Sequence, residues 1–255
     1  MARHIVLVGI GAGDPGHVTQ QAVRVLNAFD VLFVVTKAKG TDELVALRRQ
    51  IVDVHRDPDR GYEAVELADP PRPWRTADDY QAAVARWREQ RQELWAEAIT
   101  GALQDGQTGA FLVWGDPSLY ESTLAVVAEI AAAAPGGALT YEVIPGVSAV
   151  HALTARHRIP LNRVGRAVQI MPARLLAEGM PSTVDDVVVM LDQGATFGQI
   201  DPAGLDIYWG AFLGTPDELL LSGDLATVGP EIARVRAEAK ARKGWMFDTY
   251  LLRRR

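Results

Sequence analysis

Apolar and polar positions follow two rhythms along this chain. Unbroken apolar runs rich in β-branched residues stand at 5–10, 31–35 and 109–114, and 141–144, broken by Glu142, reads as a further short strand. Runs of that length bounded by turn residues predict strands buried in a parallel sheet. Between them the spacing changes to three and four. A helix is expected to open at Thr19, with Val23, Leu26, Ala28 and Phe29 inward, and another over 41–54 with Leu44, Leu47, Ile51 and Val54 on one side. The longest helical pattern, 77–103, puts Tyr80, Val84, Trp87, Leu94, Ala98 and Ala102 on one face, with Trp87 and Trp95 as packing anchors and Asp105-Gly106 as its stop. Helices are also expected over 123–133 and from Val147-Ser148-Ala149 through Arg156.

The remainder mixes shorter elements. Strands are predicted over 167–171, 187–191, 205–213, 219–221 and 245–252. Thr215 with Glu218 fits a capping box, with Pro216 favourable at the first helical position. Residues 230–243 form a charged amphipathic pattern that Gly244 would cap. The stretch 55–74 has no clear period and carries Asp57-Pro58, Asp69-Pro70-Pro71 and Arg72-Pro73-Trp74. Such proline density disfavours a helix or a central strand, so the stretch reads as a surface insertion or a lid. The expectation is an α/β protein of two domains, 1–146 with a mostly parallel sheet and 147–255 with a mixed one.

Composition narrows the function classes. The 255 residues are 48% hydrophobic, lack cysteine and carry a net charge of −6. Without cysteine there is no disulfide, thiolate metal site or thiol nucleophile. The acidic balance argues against nucleic acid, and Arg253-Arg254-Arg255 reads as a solvated end. No apolar run is long enough to cross a bilayer and no signal peptide is visible, so a cytoplasmic setting is expected.

The candidate chemistry lies at the strand ends. Gly9, Gly11 and Gly13 follow the first strand and would remove side chains where a ligand lies against the backbone. Residues 11–16 also match G-x-G-x-x-G. That fingerprint needs a helix starting inside the motif and an acid ending the second strand. Here Asp14-Pro15 turns the chain and delays the helix to about Thr19, and the second strand ends in Thr36-Lys37. A nicotinamide dinucleotide is disfavoured, and a smaller, phosphate-free cofactor is the other reading. A second strand-to-loop unit ends in Gly115-Asp116-Pro117, which makes the first more specific. Ligands of open α/β sheets collect at that edge.

Four motifs stand in order: Gly9-Ile10-Gly11-Ala12-Gly13-Asp14-Pro15, Gly115-Asp116-Pro117, Ile144-Pro145-Gly146-Val147-Ser148-Ala149 and Ile159-Pro160-Leu161-Asn162-Arg163. With them the whole chain resembles the tetrapyrrole methylase family. Likeness outside the shared core, including Leu44-Val45-Ala46-Leu47-Arg48-Arg49 and Ile207-Tyr208-Trp209-Gly210-Ala211, points to a corrin-precursor branch. That branch methylates carbon 1 of precorrin-5 and releases acetate; another precorrin or uroporphyrinogen methylase is the alternative. The resemblance implies two α/β domains, S-adenosylmethionine folded in a cleft between them, a tetrapyrrole substrate, no metal and a homodimer. Carried over by position, cofactor contacts fall on Ala12, Gly115, Asp116, Leu119, Ser148, Ala149, Leu191, Ala211 and Gly214. Trp114 departs from a common glycine. A protein-modifying methylase of diphthamide type shares the first loop and is a further alternative; a non-catalytic cofactor-binding protein is another, against which the complete loops argue mildly.

Methyl transfer asks mainly for alignment of a carbon nucleophile with the sulfonium. Loss of acetate asks for a group that orients water or takes its proton. Asp14, Tyr120 and Asp192 are candidates, with Glu121, His151 and His157 behind them. Each has an ordinary alternative as a turn, a helix cap or a packed side chain. Arg163 and Arg72, then Lys37, Arg156 and Arg166, are candidate partners for substrate carboxylates.

Overall fold

The computed structural model describes residues 2–36, 42–70 and 79–255. The chain divides into two compact units, Met1–Gly11 with Pro15–Val147, and Ala12–Asp14 with Ser148–Arg255.

Unit 1 is built on five parallel strands: β1 (Arg3–Gly9), β2 (Val31–Thr36), β3 (Glu63–Ala68), β4 (Thr108–Val113) and β5 (Leu139–Ile144), in the order β3-β2-β4-β1-β5. Among the described residues its α-helices are α1 (Gln20–Leu26), α2 (Asp42–His55), α3 (Tyr80–Ala102) and α4 (Thr123–Ala133). The two-residue period of the strands sends Ile5, Leu7, Phe33 and Phe111 to one core with Trp95, Ile99, Val127 and Ile130. Val6, Val8, Leu32 and Leu112 go to the other with Leu26, Ile51 and Val52. Both faces are covered, which is why these strands read as unbroken apolar runs.

Unit 2 holds α5 (Ala149–His157), β6 (Val168–Pro172), α6 (Ala173–Leu176), β7 (Asp186–Met190), β8 (Leu205–Ala211), β9 (Leu219–Asp224), α7 (Leu225–Lys243) and β10 (Asp248–Arg254). Its sheet runs β6-β7-β10-β8-β9; β6 and β7 are parallel and every other pairing is antiparallel. The core gathers Phe197, Ile207, Trp209, Ile232, Tyr250 and Leu252.

Several expectations change. The stretch read as irregular contains the edge strand β3, parallel to β2. Its sequence, Glu-Ala-Val-Glu-Leu-Ala, is mostly exposed and carries no apolar run, as an edge position permits. The buried stripe of α3 is Ala83, Trp87, Arg91, Trp95 and Ile99, while Leu94 stands 45% exposed. The true stripe passes through an arginine, which apolar periodicity skips. Arg91 is accommodated by an ion pair to Asp69 at 2.8 Å and by the Trp87 and Trp95 rings, 5.1 and 4.3 Å away. Residues 215–218 form a turn rather than a helix start. The Glu218 carboxylate does reach back, accepting from the Gly214 amide at 3.0 Å, but β9 follows at once. Helix α7 begins at Leu225, not at Pro230, because Asp224 caps it by accepting from the Thr227 amide. Burial of Leu225 and Ile232 holds the turns around the proline.

Candidate functional site

The C-terminal edge of the unit 1 sheet is where its three adjacent strands β4, β1 and β5 release their loops. The loops lock together through backbone. The Gly115 amide donates to the Gly11 carbonyl at 2.8 Å and the Gly11 amide returns a bond to Gly115 at 3.3 Å. A Cβ on Gly9 would stand 2.5 Å from the Gly146 amide nitrogen, and one on Gly146 would stand 2.8 Å from the Gly9 carbonyl carbon. The glycines therefore serve loop-on-loop packing. The expectation that they clear space for a ligand is corrected: each missing side chain would point into protein, not into a pocket. Gly11 repeats the pattern with His17, whose Cβ is 2.4 Å from the built position.

Asp116 is the side chain that fastens this edge. One carboxylate oxygen accepts from the Ser118 amide at 2.8 Å and from the Ser118 hydroxyl. The other accepts from the Gly146 amide at 3.0 Å, tying the loop after β4 to the loop after β5. Leu119 closes the same turn by donating its amide to the Asp116 carbonyl. Beyond it Tyr120 is exposed and sits at φ 52°. Glu121 does not face solvent chemistry: it accepts from the Ser122 and Thr123 amides and the Thr123 hydroxyl, capping α4. No phosphate seat forms here. Thr19 accepts from the Ala22 amide at the start of α1, so the helix begins well past the glycine turn. Strand β2 ends in Thr36, not in an acid.

Unit 2 contributes a second set. Ala12, Gly13 and Asp14 belong to it, and a Cβ on Gly13 would meet the Thr215 methyl at 2.7 Å and the Leu213 carbonyl at 3.0 Å. Ala12 and Gly214, two expected cofactor positions, thus lie on neighbouring turns. Asp14 is exposed on the first of them. Ala211 is fully buried at the end of β8. Ser148 spends its hydroxyl capping α5, accepting from the His151 amide and bonding His151 Nδ1 at 2.8 Å, with Ala149 as the first helical residue. His157 is bound through Nε2 to the Trp209 carbonyl at 3.0 Å, and burial lowers its pKa below the usual histidine value. That bond assigns Nε2 as the donor and ties the ring to β8.

Leu191 is one of four non-glycine residues of unit 2 with positive φ, beside Arg158, Ala195 and Phe212. It ends β7 at φ 59° and is 56% exposed. The left-handed region costs a residue with a Cβ about 1–2 kcal/mol, and strain of this kind clusters at functional sites. What holds it is buried. Asp192 accepts from the Gly194 amide at 2.8 Å, the Thr196 amide at 2.8 Å, the Thr196 hydroxyl at 3.0 Å and the Tyr250 hydroxyl at 2.8 Å. The Asp192 carbonyl accepts from Arg236 at 2.6 Å, and Arg236 pairs with Asp248 at 2.8 Å. Burial, first, and the nearby Asp192 charge raise the Asp248 carboxyl above its usual value. Of the two readings of Asp192, a reactive carboxylate or one that caps a turn, the structure has the second: it is 3% exposed and taken up by its own loop and by Tyr250.

Arg163, expected to meet substrate, is engaged at the start of β7. It lies 3.3 Å from Asp186, which is fully buried and also takes Arg253 at 2.6 Å, and 3.7 Å from Asp185. A buried carboxylate needs such cations. Arg156 pairs with Glu218 and Arg166 with Asp185. Lys37 and Arg72 lie outside the described residues. Among the described residues no group of three acidic or histidine side chains is placed to hold a metal.

The arginine that sequence reading passed over is Arg48. It sits on α2 with Nε donating to the Leu112 carbonyl at 3.1 Å and Nη1 to Leu44 at 3.3 Å, its guanidinium 5.3 Å from the Trp114 ring. On the sequence it is one polar residue of a charged helix face; only the long-range partner Leu112 distinguishes it.

The chain matches the family model of the tetrapyrrole (corrin/porphyrin) methylases over residues 4–229. It is 43% identical to the precorrin-6A synthase [deacetylating] of a Sinorhizobium species, covering 99% of this chain and 95% of that one. The crystal structure of a cobalamin-synthesis-related protein, CobF, from Corynebacterium diphtheriae superposes with a TM-score of 0.85 at 34% identity, covering 100% of this chain and 99% of that one. A uroporphyrin-III C-methyltransferase of Thermus thermophilus, solved with S-adenosylhomocysteine, shares the fold at a TM-score of 0.61 and 18% identity over 98% of this chain and 96% of that one. With its parallel sheet, its mixed sheet and its three interlocked glycine turns, this chain belongs to the tetrapyrrole methylases.

Proposed function

We propose that this protein is an S-adenosylmethionine-dependent methyltransferase of corrin biosynthesis that methylates carbon 1 of precorrin-5 and releases acetate, giving precorrin-6A. The observation that carries the reading is the full-length similarity to the Sinorhizobium precorrin-6A synthase. The site's chemistry fits the cofactor: Leu191 holds an apolar side chain out of the sheet at φ 59°, and no helix N-terminus is spent on a phosphate.

S-adenosylmethionine supplies an electrophilic methyl group when bound. In unit 1 the proposed contacts are Gly115, Asp116 and Leu119, with Asp116 positioning the loop through Gly146. In unit 2 they are Ala12, Ser148, Ala149, Leu191, Ala211 and Gly214. Ser148 and Ala211 would act through backbone, since the Ser148 hydroxyl caps α5 and the Ala211 side chain is buried. Exposed Asp14 and Tyr120 are the proposed groups for orienting the water that releases acetate. The same reading takes the enzyme as a cytoplasmic homodimer; among the described residues no helix is long and apolar enough to cross a membrane.

The test is turnover with precorrin-5 generated in place by upstream enzymes and methyl-labelled S-adenosylmethionine, following label and acetate together. Equal amounts of both are expected. Label without acetate would make this a methylase of another step, and neither product, with S-adenosylhomocysteine still bound, would remove the substrate assignment.

A further inference from the structure

We infer that Arg48, with Trp114 beside it, forms a subsite for a carboxylate group of the substrate at the C-terminal end of β4. The inference rests on the tetrapyrrole reading for the identity of the carboxylate's owner.

The other deeply placed guanidiniums of the described residues are accounted for within the protein. Arg91 has Asp69, Arg236 has Asp248 and Arg253 has Asp186. Arg56 has no carboxylate but donates to four carbonyls, those of Leu26, Phe29, Arg60 and Gly61. Arg48 has two carbonyls, Leu112 and Leu44, and no ion pair, which leaves Nη2 without an acceptor. A guanidinium carries five N–H donors. Burial pushes its pKa down to about 10, the mark of a cation stripped of water without full compensation.

Trp114 supplies an independent observation. Its indole packs against the guanidinium, yet its own Nε1–H is buried and meets no acceptor. A buried donor left unpaired costs about 1–3 kcal/mol, so the Trp114 N–H asks for an acceptor beside the guanidinium. The Glu121 carboxylate is the acid that influences Arg48; its Oε1 accepts three donors of the α4 N-terminus, and no hydrogen bond or ion pair joins it to Arg48. Arg48 and Trp114 are each partly exposed as residues, although the Trp114 Nε1 atom itself is buried. A planar acceptor with two oxygens suits the fork of a guanidinium, and a carboxylate has that form. The position follows β4 directly, on the edge where the loops of β1, β4 and β5 interlock.

The experiment titrates uroporphyrin, an air-stable polycarboxylated tetrapyrrole, into the intact protein and follows quenching of tryptophan fluorescence. S-adenosylhomocysteine affinity and the thermal midpoint are measured in parallel. R48Q should weaken uroporphyrin binding tenfold or more, with S-adenosylhomocysteine affinity within twofold of the parent. R48K, which keeps the charge but loses the fork, should fall between them. W114F, which keeps an aromatic ring and loses the N–H, should cost about threefold to tenfold. R49Q, on the exposed neighbour, should change nothing. Equal binding by R48Q and the parent would overturn the subsite and leave the substrate reading intact. Equal losses in R48Q and R49Q would overturn it in favour of diffuse charge. A parent protein that binds S-adenosylhomocysteine but not uroporphyrin would overturn both. Should R48Q fail to fold, R48K and W114F decide by the same criteria.

Discussion

Asp192→Ala tests whether the carboxylate after β7 is a brace or a reactive group. Four donors converge on it at 2.8–3.0 Å, and two of the groups, Thr196 and Tyr250, are buried. Each buried donor stranded by the substitution costs about 1–3 kcal/mol. The Gly194 amide regains water more easily, so three stranded donors set the loss at about 3–9 kcal/mol. Once the brace is gone, Leu191 is free to leave the left-handed region, recovering about 1–2 kcal/mol. The net expectation is a destabilisation of about 1–8 kcal/mol, together with weaker S-adenosylhomocysteine binding. Asp192→Asn keeps the shape and half of the acceptors, and should cost less. Urea unfolding reads the stability, and amide exchange over 191–197 localises it. A variant that unfolds with the parent, keeps native protection at Thr196 and has lost only acetate release would refute the brace. Asp192 would then be facing a ligand rather than its own loop.

Three further outcomes follow from the same geometry. Gly9→Ala places a Cβ 2.5 Å from backbone and should destabilise unit 1 by more than about 2 kcal/mol, whereas Gly101→Ala, on the exposed side of α3 with nothing within 4 Å, should stabilise by about 0.4–1 kcal/mol; calorimetry compares the two. His157 resists protonation in the folded state, so the unfolded chain binds its proton first as pH falls. Stability should therefore be full above the unfolded pKa of about 6.5 and decline below it, and His157→Gln should flatten that decline in a pH series of urea midpoints. Asp116→Ala removes the tie to the Gly146 amide and should lower S-adenosylhomocysteine affinity tenfold or more, about 1.4 kcal/mol per decade, with Asp116→Asn intermediate; unchanged titration calorimetry would remove this loop from the cofactor contacts.

The sequence alone determined the elements whose environment is uniform along their length. Strands β1, β2 and β4 are covered on both faces, so every position is apolar and the run is visible without partners. The caps Thr19 and Ser148 act within three residues, so their helix starts were legible too. Tertiary structure decided whatever depends on a distant neighbour. Strand β3 is a strand because β2 offers it a ladder, although four of its six residues carry charge or little bulk. The buried face of α3 includes Arg91 because Asp69, from another element, neutralises it. The same logic separates the site residues. Glycine turns announce themselves locally, but that Gly9 and Gly146 are glycines for each other's sake depends on β1 and β5 being neighbours. Asp192 and Arg163 each have more than one reading along the chain, and Tyr250, Arg253 and Asp186 decide between them. Arg48 reads as surface charge until β4 removes its water. Desolvation is a property of the assembled fold, and no spacing along the chain encodes which charge will be left short of a partner.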